Sequence, residues 1–284
     1  MGGIYHLTWA MTEAERNDRV HAGGILVFRG FRAVGELIDM LRTLCRQHLG
    51  NDPEHAHQRM TQSELDAAAD ALDRAVAGNA AVANTLNTAF SAIGVDLDCT
   101  YGDGVKQRVL VPHGRSDRGS VAPLAAHRDT WGSNVMCQTN WWAPVFPTTP
   151  ERTIALFPAY FERPVPNDSA GWDFRELLRH RKAGQPDNDY PVLPLATVPP
   201  PWTDAVPISL VPGDLMCFSG AHLHASVPNT TDRCRLSFET RTVNADDVTA
   251  GRGAPNVDGA PVRTTYQLFR NLITCERLGE LAEA

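Results

Sequence analysis

From Tyr101 onward the chain is written in short apolar runs that Gly and Pro keep interrupting: KQRVLVP, VMCQTNWW, RTIALFP, DLMCFSG and RCRLSFETRTV. Runs of this length, rich in Val, Thr, Phe and Trp and bounded by turn residues, read as strands of a β-sandwich or jelly roll. The first hundred residues have another texture. GILVFRGF (24–31) reads as a strand, and Val34 to His48 as a helix with Leu37, Met40, Leu41 and Leu44 along one face. Thr61 followed three residues later by Glu64 has the form of a capping box, and Leu65 to Ile93 is Ala-rich and amphipathic. The expected architecture is therefore mainly β with flanking α-helices. Residues 1–100 form a helix-rich cover and 101–245 the sheet core, interrupted by a Pro-rich insertion at 158–212. That insertion carries a short helical pattern (Trp172 to His180) and the run Pro199-Pro200-Pro201, and its place between strands makes it a candidate rim or lid. Thr264 to Glu280 has helical period, so 246–284 is expected to close the chain as a C-terminal helix.

No linker divides the 284 residues, which implies one domain. The composition, 43 % apolar and 21 % charged, is that of a folded globular chain. A formal charge of −7 and a pI near 5.8 oppose phosphate-backbone binding, which needs clustered Lys and Arg. Nucleic acid is excluded as the main partner. The N-terminus lacks the basic start and apolar run of a secretory signal. Gly2 suggests myristoylation only superficially, because His6 stands where that motif requires Ser or Thr. No run of about 18 apolar residues could span a bilayer, and a cytoplasmic location is expected. The six cysteines are scattered without a CxxC pair, which points to reduced, mostly buried thiols.

Three features carry chemistry. The first is His127 and Asp129 in AAHRDTW. If this segment is a strand, both project to one face while Arg128 points away, and an imidazole and a carboxylate can grip one ion. The second is the run from Val211 to Val243, where Pro212-Gly213 suits the centre of a type II turn and the following strand delivers His222 and His224. These two histidines have the same parity, so spacing leaves open which binds metal. Either one completes a two-His, one-carboxylate face with three open positions, as non-haem iron(II) requires to take a bidentate 2-oxo acid plus dioxygen. The third is RCRLSFETR, in which Arg235, Ser237, Glu239 and Arg241 alternate with Cys234, Leu236, Phe238 and Thr240. A guanidinium directed into a barrel is costly without an anion; the far carboxylate of 2-oxoglutarate suits it, and a salt bridge to Glu239 or Asp232 is the structural alternative.

HRD, a distal HLHASVPNTTDRCR, and Arg235 eleven positions after His224 together resemble the phytanoyl-CoA dioxygenase family of iron(II)/2-oxoglutarate oxygenases. The resemblance covers roughly Tyr101 to Asn244. It implies a double-stranded β-helix (a cupin-like jelly roll) closed by helices. It also implies that His127, Asp129 and His224 are the metal ligands, that Arg235 anchors the co-substrate with Ser226 assisting, and that His222 plays a packing role. AAHRDTWGSNVMCQTNWWAP is further similar to a bacterial branch associated with carbohydrate and aminoglycoside-type antibiotic biosynthesis, which includes oxygenases that close orthoester rings. Trp131, Trp141, Trp142 and the long insertion depart from the acyl-CoA hydroxylases, which argues against a fatty acyl substrate.

Lesser candidates follow from position. Gln138 and Asn140 share a face with Met136 and Trp142 and could hydrogen-bond the 2-oxo acid or satisfy the sheet. Trp131 could wall a sugar pocket or fill the core. Arg108 and His113 are expected at the surface. Phe157, Phe161, Arg163 and Trp172 could meet substrate, with loop packing as the default. The expected activity is oxidation of an unactivated C–H bond of a small polar molecule. The rivals are a redox-neutral metal isomerase on the same triad, which needs no anion anchor, and a metal-free binding jelly roll. Substrate identity and oligomeric state are not legible.

Overall fold

A strand with two unlike faces needs two unlike neighbours, and the alternation in RCRLSFETRTV predicts how the layers stack. The computed structural model, which describes residues 3–114, 123–182 and 190–279, has the elements β1 (Ile4–Leu7), α1 (Glu13–His21), β2 (Ile25–Phe28), α2 (Arg32–Leu49), α3 (Ala56–Arg59), α4 (Gln62–Ala77), α5 (Ala80–Ala92), β3 (Thr100–Gly102), β4 (Lys106–Leu110), α6 (Thr130–Ser133), β5 (Thr139–Pro144), β6 (Ile154–Leu156), α7 (Phe174–Lys182), β7 (Val206–Ile208), β8 (Leu215–Ser219), β9 (His224–Ser226), β10 (Arg235–Asn244), α8 (Ala245–Thr249) and β11 (Arg270–Asn271). The large sheet runs β1-β2-β8-β5-β10-β3-β11 with β4 also on β10, and a small sheet runs β7-β6-β9.

One face of the large sheet meets the helices. Leu236 and Phe238 of β10, Trp141 and Ala143 of β5 and Cys217 of β8 are buried with Leu37, Leu41, Leu72 and Phe90 of the helical cover. The other face meets the small sheet: Trp142, Met216 and Val27 are buried with Ile154, Leu156 and Ile208. By alternation, Arg235, Ser237, Glu239 and Arg241 project between the sheets, where Glu239 lies opposite Trp142 and Lys106, and Arg241 opposite Asn140.

The local signals act as expected in the cover. Thr61 accepts from the Glu64 N–H at 3.3 Å while its own N–H donates to Glu64 at 2.8 Å, completing the capping box. The Ala-rich run divides at Gly78-Asn79, where Asn79 caps α5 by accepting from the Ala81 N–H. The C-terminal segment departs from expectation. In place of a helix over 264–280, of which residue 280 lies outside the described residues, the chain makes one 3-10 turn (Tyr266–Leu268) and then β11 on the edge of β3. The Asn271 side chain accepts from the N–H groups of Ile273 and Thr274, a local turn that competes with helix, and burying Phe269 fixes the approach to the sheet. No helix among the described residues is long and apolar enough to cross a membrane. The six cysteines are free; burial pushes the Cys45, Cys137, Cys217 and Cys234 thiols up to about 12, so these four are inert.

Gly94 closes α5 at φ 93°, where an added Cβ would lie 1.9 Å from the Met11 carbonyl oxygen. Gly30 has a similar φ of 75° with nothing nearby. Gly94→Ala should therefore cost about 3 kcal/mol or more in urea denaturation, and Gly30→Ala only about 1 kcal/mol. Equal losses would mean that the close approach is not what demands glycine.

Candidate metal centre

His127 and His224 reach each other through the backbone. They form a two-residue antiparallel bridge, with His127 N–H to His224 O at 3.0 Å and His224 N–H to His127 O at 2.9 Å. Residues directly opposite in such a pair carry their side chains to one side, and the imidazole centroids lie 4.2 Å apart. Each Nδ1 is engaged by a carbonyl oxygen, His127 with Ala125 at 2.7 Å and His224 with His222 at 3.0 Å. A carbonyl can only accept, so Nδ1 carries the proton and each Nε2 offers its lone pair.

Asp129 arrives by a different route from the one its spacing suggests. His127 belongs to an isolated bridge and not to a strand, and Asp129 adopts helical angles (φ −63°, ψ −31°) at the start of the one-turn α6. Its carboxylate nevertheless reaches the histidines, with Oδ1 at 3.7 Å from His127 Nε2, and one ligand atom from each of His127, Asp129 and His224 lies within 4.8 Å of the others. Burial, reinforced by His224, holds the His127 imidazole down at about 3 against the opposing pull of Asp129. It is neutral and ready to ligate at ordinary pH. Burial alone would raise the Asp129 carboxyl, but Arg241 and the two histidines hold it far below the usual carboxylate range. His222 stands apart: fully buried, it faces the Gly23 carbonyl through Nε2 at 3.1 Å and packs against Phe161 at 4.5 Å between ring centroids.

The residues around the triad sort the remaining candidates. Asn140 donates to Asp129 Oδ2 at 2.6 Å and accepts from Gln138 at 2.8 Å, so it braces the carboxylate. Gln138 also reaches Asp129 Oδ2 at 3.4 Å and leaves its carbonyl oxygen buried and unpartnered. Arg241, which carried no assignment in the sequence, donates to Asp129 Oδ2 through Nε at 3.0 Å and to Asp103 through Nη1 at 2.9 Å. Its signal was present, because it shares the parity of Arg235 on one strand. Arg128 does point away from the triad, into a buried brace: it donates to Asp258 and to the carbonyls of Ala221, Tyr160 and Arg163. Trp131 is a core residue whose indole N–H donates to that same Asp258 at 2.7 Å.

Arg235 is 2 % exposed. Its Nη1 donates to the Thr153 carbonyl at 2.7 Å, its Nε is buried without a partner, and among the described residues it makes no ion pair with Glu239 or Asp232. Burial, with Arg108 nearby, pulls the guanidinium down to about 9. Thr153 O also accepts from the Val227 N–H, which places Arg235 beside the end of β9 remote from His224. Ser226, two residues from His224 and about 7 Å along the strand, accepts from the Leu124 N–H at 3.1 Å.

A cavity of about 460 Å³ reaches Asp129, Gln138 and Arg241 and takes an apolar wall from Trp172, Phe174 and Leu177 of the insertion. Arg108 lines it too, 3.7 Å from Glu239, which corrects the expected surface placement; its pairing partner on β10 is Ser237, so it projects between the sheets. His113 is exposed as expected. Phe157 and Phe161 are buried packing residues, and Arg163 lies over the Tyr160 ring.

No protein-family model matches the sequence, and no curated protein sequence matches it. Among solved structures the chain is similar to EvdO2 from Micromonospora carbonacea var. aurantiaca complexed with 2-oxoglutarate, at 12 % identity and TM-score 0.47 over 90 % of this chain and 98 % of that one. SnoK, a non-heme alpha ketoglutarate dependent carbocyclase from nogalamycin biosynthesis, aligns at 14 % identity and TM-score 0.43 over 92 % and 98 %. The epimerase SnoN, in complex with Fe3+, alpha ketoglutarate and nogalamycin RO, aligns at 16 % identity and TM-score 0.44 over 92 % and 100 %.

His224→Ala should abolish Mn(II) binding in calorimetric titration, whereas His222→Gln, which keeps a donor for the Gly23 carbonyl, should bind within about threefold of wild type. Loss in the second variant and retention in the first would reverse the two assignments.

Proposed function

We propose that this chain is an iron(II)- and 2-oxoglutarate-dependent oxygenase. The observation that carries the reading is the pairing of an open two-His, one-carboxylate face with a buried Arg235 that lacks a carboxylate partner among the described residues. A metal isomerase accounts for the first feature and not for the second. A buried guanidinium with an unpartnered Nε is destabilising by itself and becomes favourable when a carboxylate accepts its fork.

In this reading His127, Asp129 and His224 hold the metal, and Arg235 with Ser226 receives the distal carboxylate of the co-substrate. The Ser226 hydroxyl oxygen accepts from Leu124, so its proton is left for that carboxylate. Gln138 lines the cavity with its carbonyl oxygen unpartnered, and because that oxygen can only accept it suits a hydroxyl or amine donor of the substrate. Iron(II), 2-oxoglutarate and dioxygen together supply an oxidant able to attack an unactivated C–H bond, with succinate and carbon dioxide as co-products. The chain's own work is to orient and to exclude water. The Arg128–Asp258 brace fixes the backbone between two ligands, and the insertion closes a wall with Trp172, Phe174 and Leu177. The two sheets with their helical cover form a double-stranded β-helix in a single oxygenase domain. The substrate is a small polar molecule, with a sugar or aminoglycoside intermediate fitting a cavity that has charged and aromatic walls.

Two measurements test the reading. Wild type supplied with iron(II) and 2-oxoglutarate should form succinate, and His224→Ala should lose both iron and turnover; loss of iron with unchanged turnover would sink it. Arg235→Met should leave the melting temperature of the ligand-free protein unchanged or higher, because an uncompensated buried charge is removed. The same variant should lose the stabilisation that 2-oxoglutarate gives wild type, and a strongly destabilised variant that still responds to 2-oxoglutarate would show Arg235 to be purely structural.

A further inference from the structure

The inner face of β10 carries two arginines with opposite surroundings. Arg235 has no acid partner among the described residues, whereas Arg241 is held between two buried carboxylates. Its effect on Asp129 is unsymmetrical. Oδ2 accepts from Asn140 Nδ2 at 2.6 Å, Arg241 Nε at 3.0 Å and Gln138 Nε2 at 3.4 Å, which fills its lone-pair capacity. Oδ1 has only Arg241 Nη2 at 3.5 Å and faces His127 Nε2 at 3.7 Å.

We propose that Arg241 fixes Asp129 as a one-oxygen metal ligand and thereby keeps a coordination position open for the co-substrate; this rests on the oxygenase reading above. An aspartate free to rotate can chelate a divalent ion through both oxygens. Here that would consume one of the three positions that a bidentate 2-oxo acid and dioxygen need. Rotation is blocked because Oδ2 is committed to donors that cannot follow it. Arg241 itself is immobilised: its backbone N–H and its Nη1 donate to the two oxygens of Asp103, at 2.9 Å each, and Lys106 adds a third bond to that carboxylate at 2.9 Å. Arg241 is thus a positioning residue that acts through Asp129, with Asp103 setting its angle.

The test uses the Co(II)-loaded protein under anaerobic conditions, where the ligand-field spectrum reports coordination number without turnover. Arg241→Gln should bind Co(II) within about threefold of wild type, show an altered spectrum before any co-substrate is added, and bind 2-oxoglutarate roughly 10- to 100-fold more weakly. Arg241→Lys, which retains a charged donor, should recover part of both the spectrum and the affinity. Should Arg241→Gln prove unstable, Arg241→Lys and Asp103→Asn carry the same spectral comparison. A wild-type spectrum in these variants, or a fall in Co(II) affinity and thermal stability with the spectrum unchanged, would overturn the proposal in favour of a structural role. If wild type binds Co(II) but gives no response to 2-oxoglutarate, the oxygenase reading fails, while the spectra without co-substrate still decide the role of Arg241.

Discussion

The site depends on one short backbone contact, the antiparallel bridge between His127 and His224. Two hydrogen bonds hold the histidines opposite each other although 97 positions separate them. Loop-closure entropy of that size is not recovered by two hydrogen bonds alone. The bridge survives because β9 is pinned on its other edge to β6 (His224 opposite Leu156), whose Ile154 and Leu156 are buried against the large sheet. Apolar packing between two sheets supplies the stability, and the histidine pair rides on it.

The charges around that pair fall into two groups with different physics. Asp129, Arg241, Asp103 and Lys106 form a linked set in which each charge meets an opposite one, so the arrangement is rigid. Arg235 is the exception: one carbonyl acceptor does not compensate a buried guanidinium. The paired set orients the Asp129 carboxylate, and Arg235 is the cation to which the proposed function assigns a dicarboxylate. Arg241 and Arg235 come from a single strand, so a register error in β10 would displace both guanidinium groups together.

Much of this was legible in one dimension because β10 is long and strictly alternating, so the parity of Arg235, Ser237, Glu239 and Arg241 places all four on the face turned away from Phe238. Other expectations met a different geometry. His127 and Asp129 were expected to share a strand face, yet Asp129 begins a helical turn, and its carboxylate is held toward the histidines by its bonding to Asn140 and Arg241. Asn140 was read as a co-substrate contact or a residue satisfying the sheet, and nothing local shows that it donates to an aspartate eleven residues earlier. The helical period of 264–280 was real but lost to a sheet edge that needed a partner and to the turn that Asn271 nucleates.

The sequence by itself determined the two-texture plan, the capped helices of the cover, and a set of chemically suited side chains: two imidazoles, a carboxylate and an inward arginine. Period and local hydrogen bonding act over a few residues, and a few residues suffice to read them. Only the tertiary structure decided that His224 and not His222 faces Asp129, that Arg241 clamps that carboxylate, and that Arg235 is left without an acid among the described residues. Each of these depends on which distant groups share a buried volume. That is set by the packing of the sheets against each other and against the helical cover, and no local pattern encodes it.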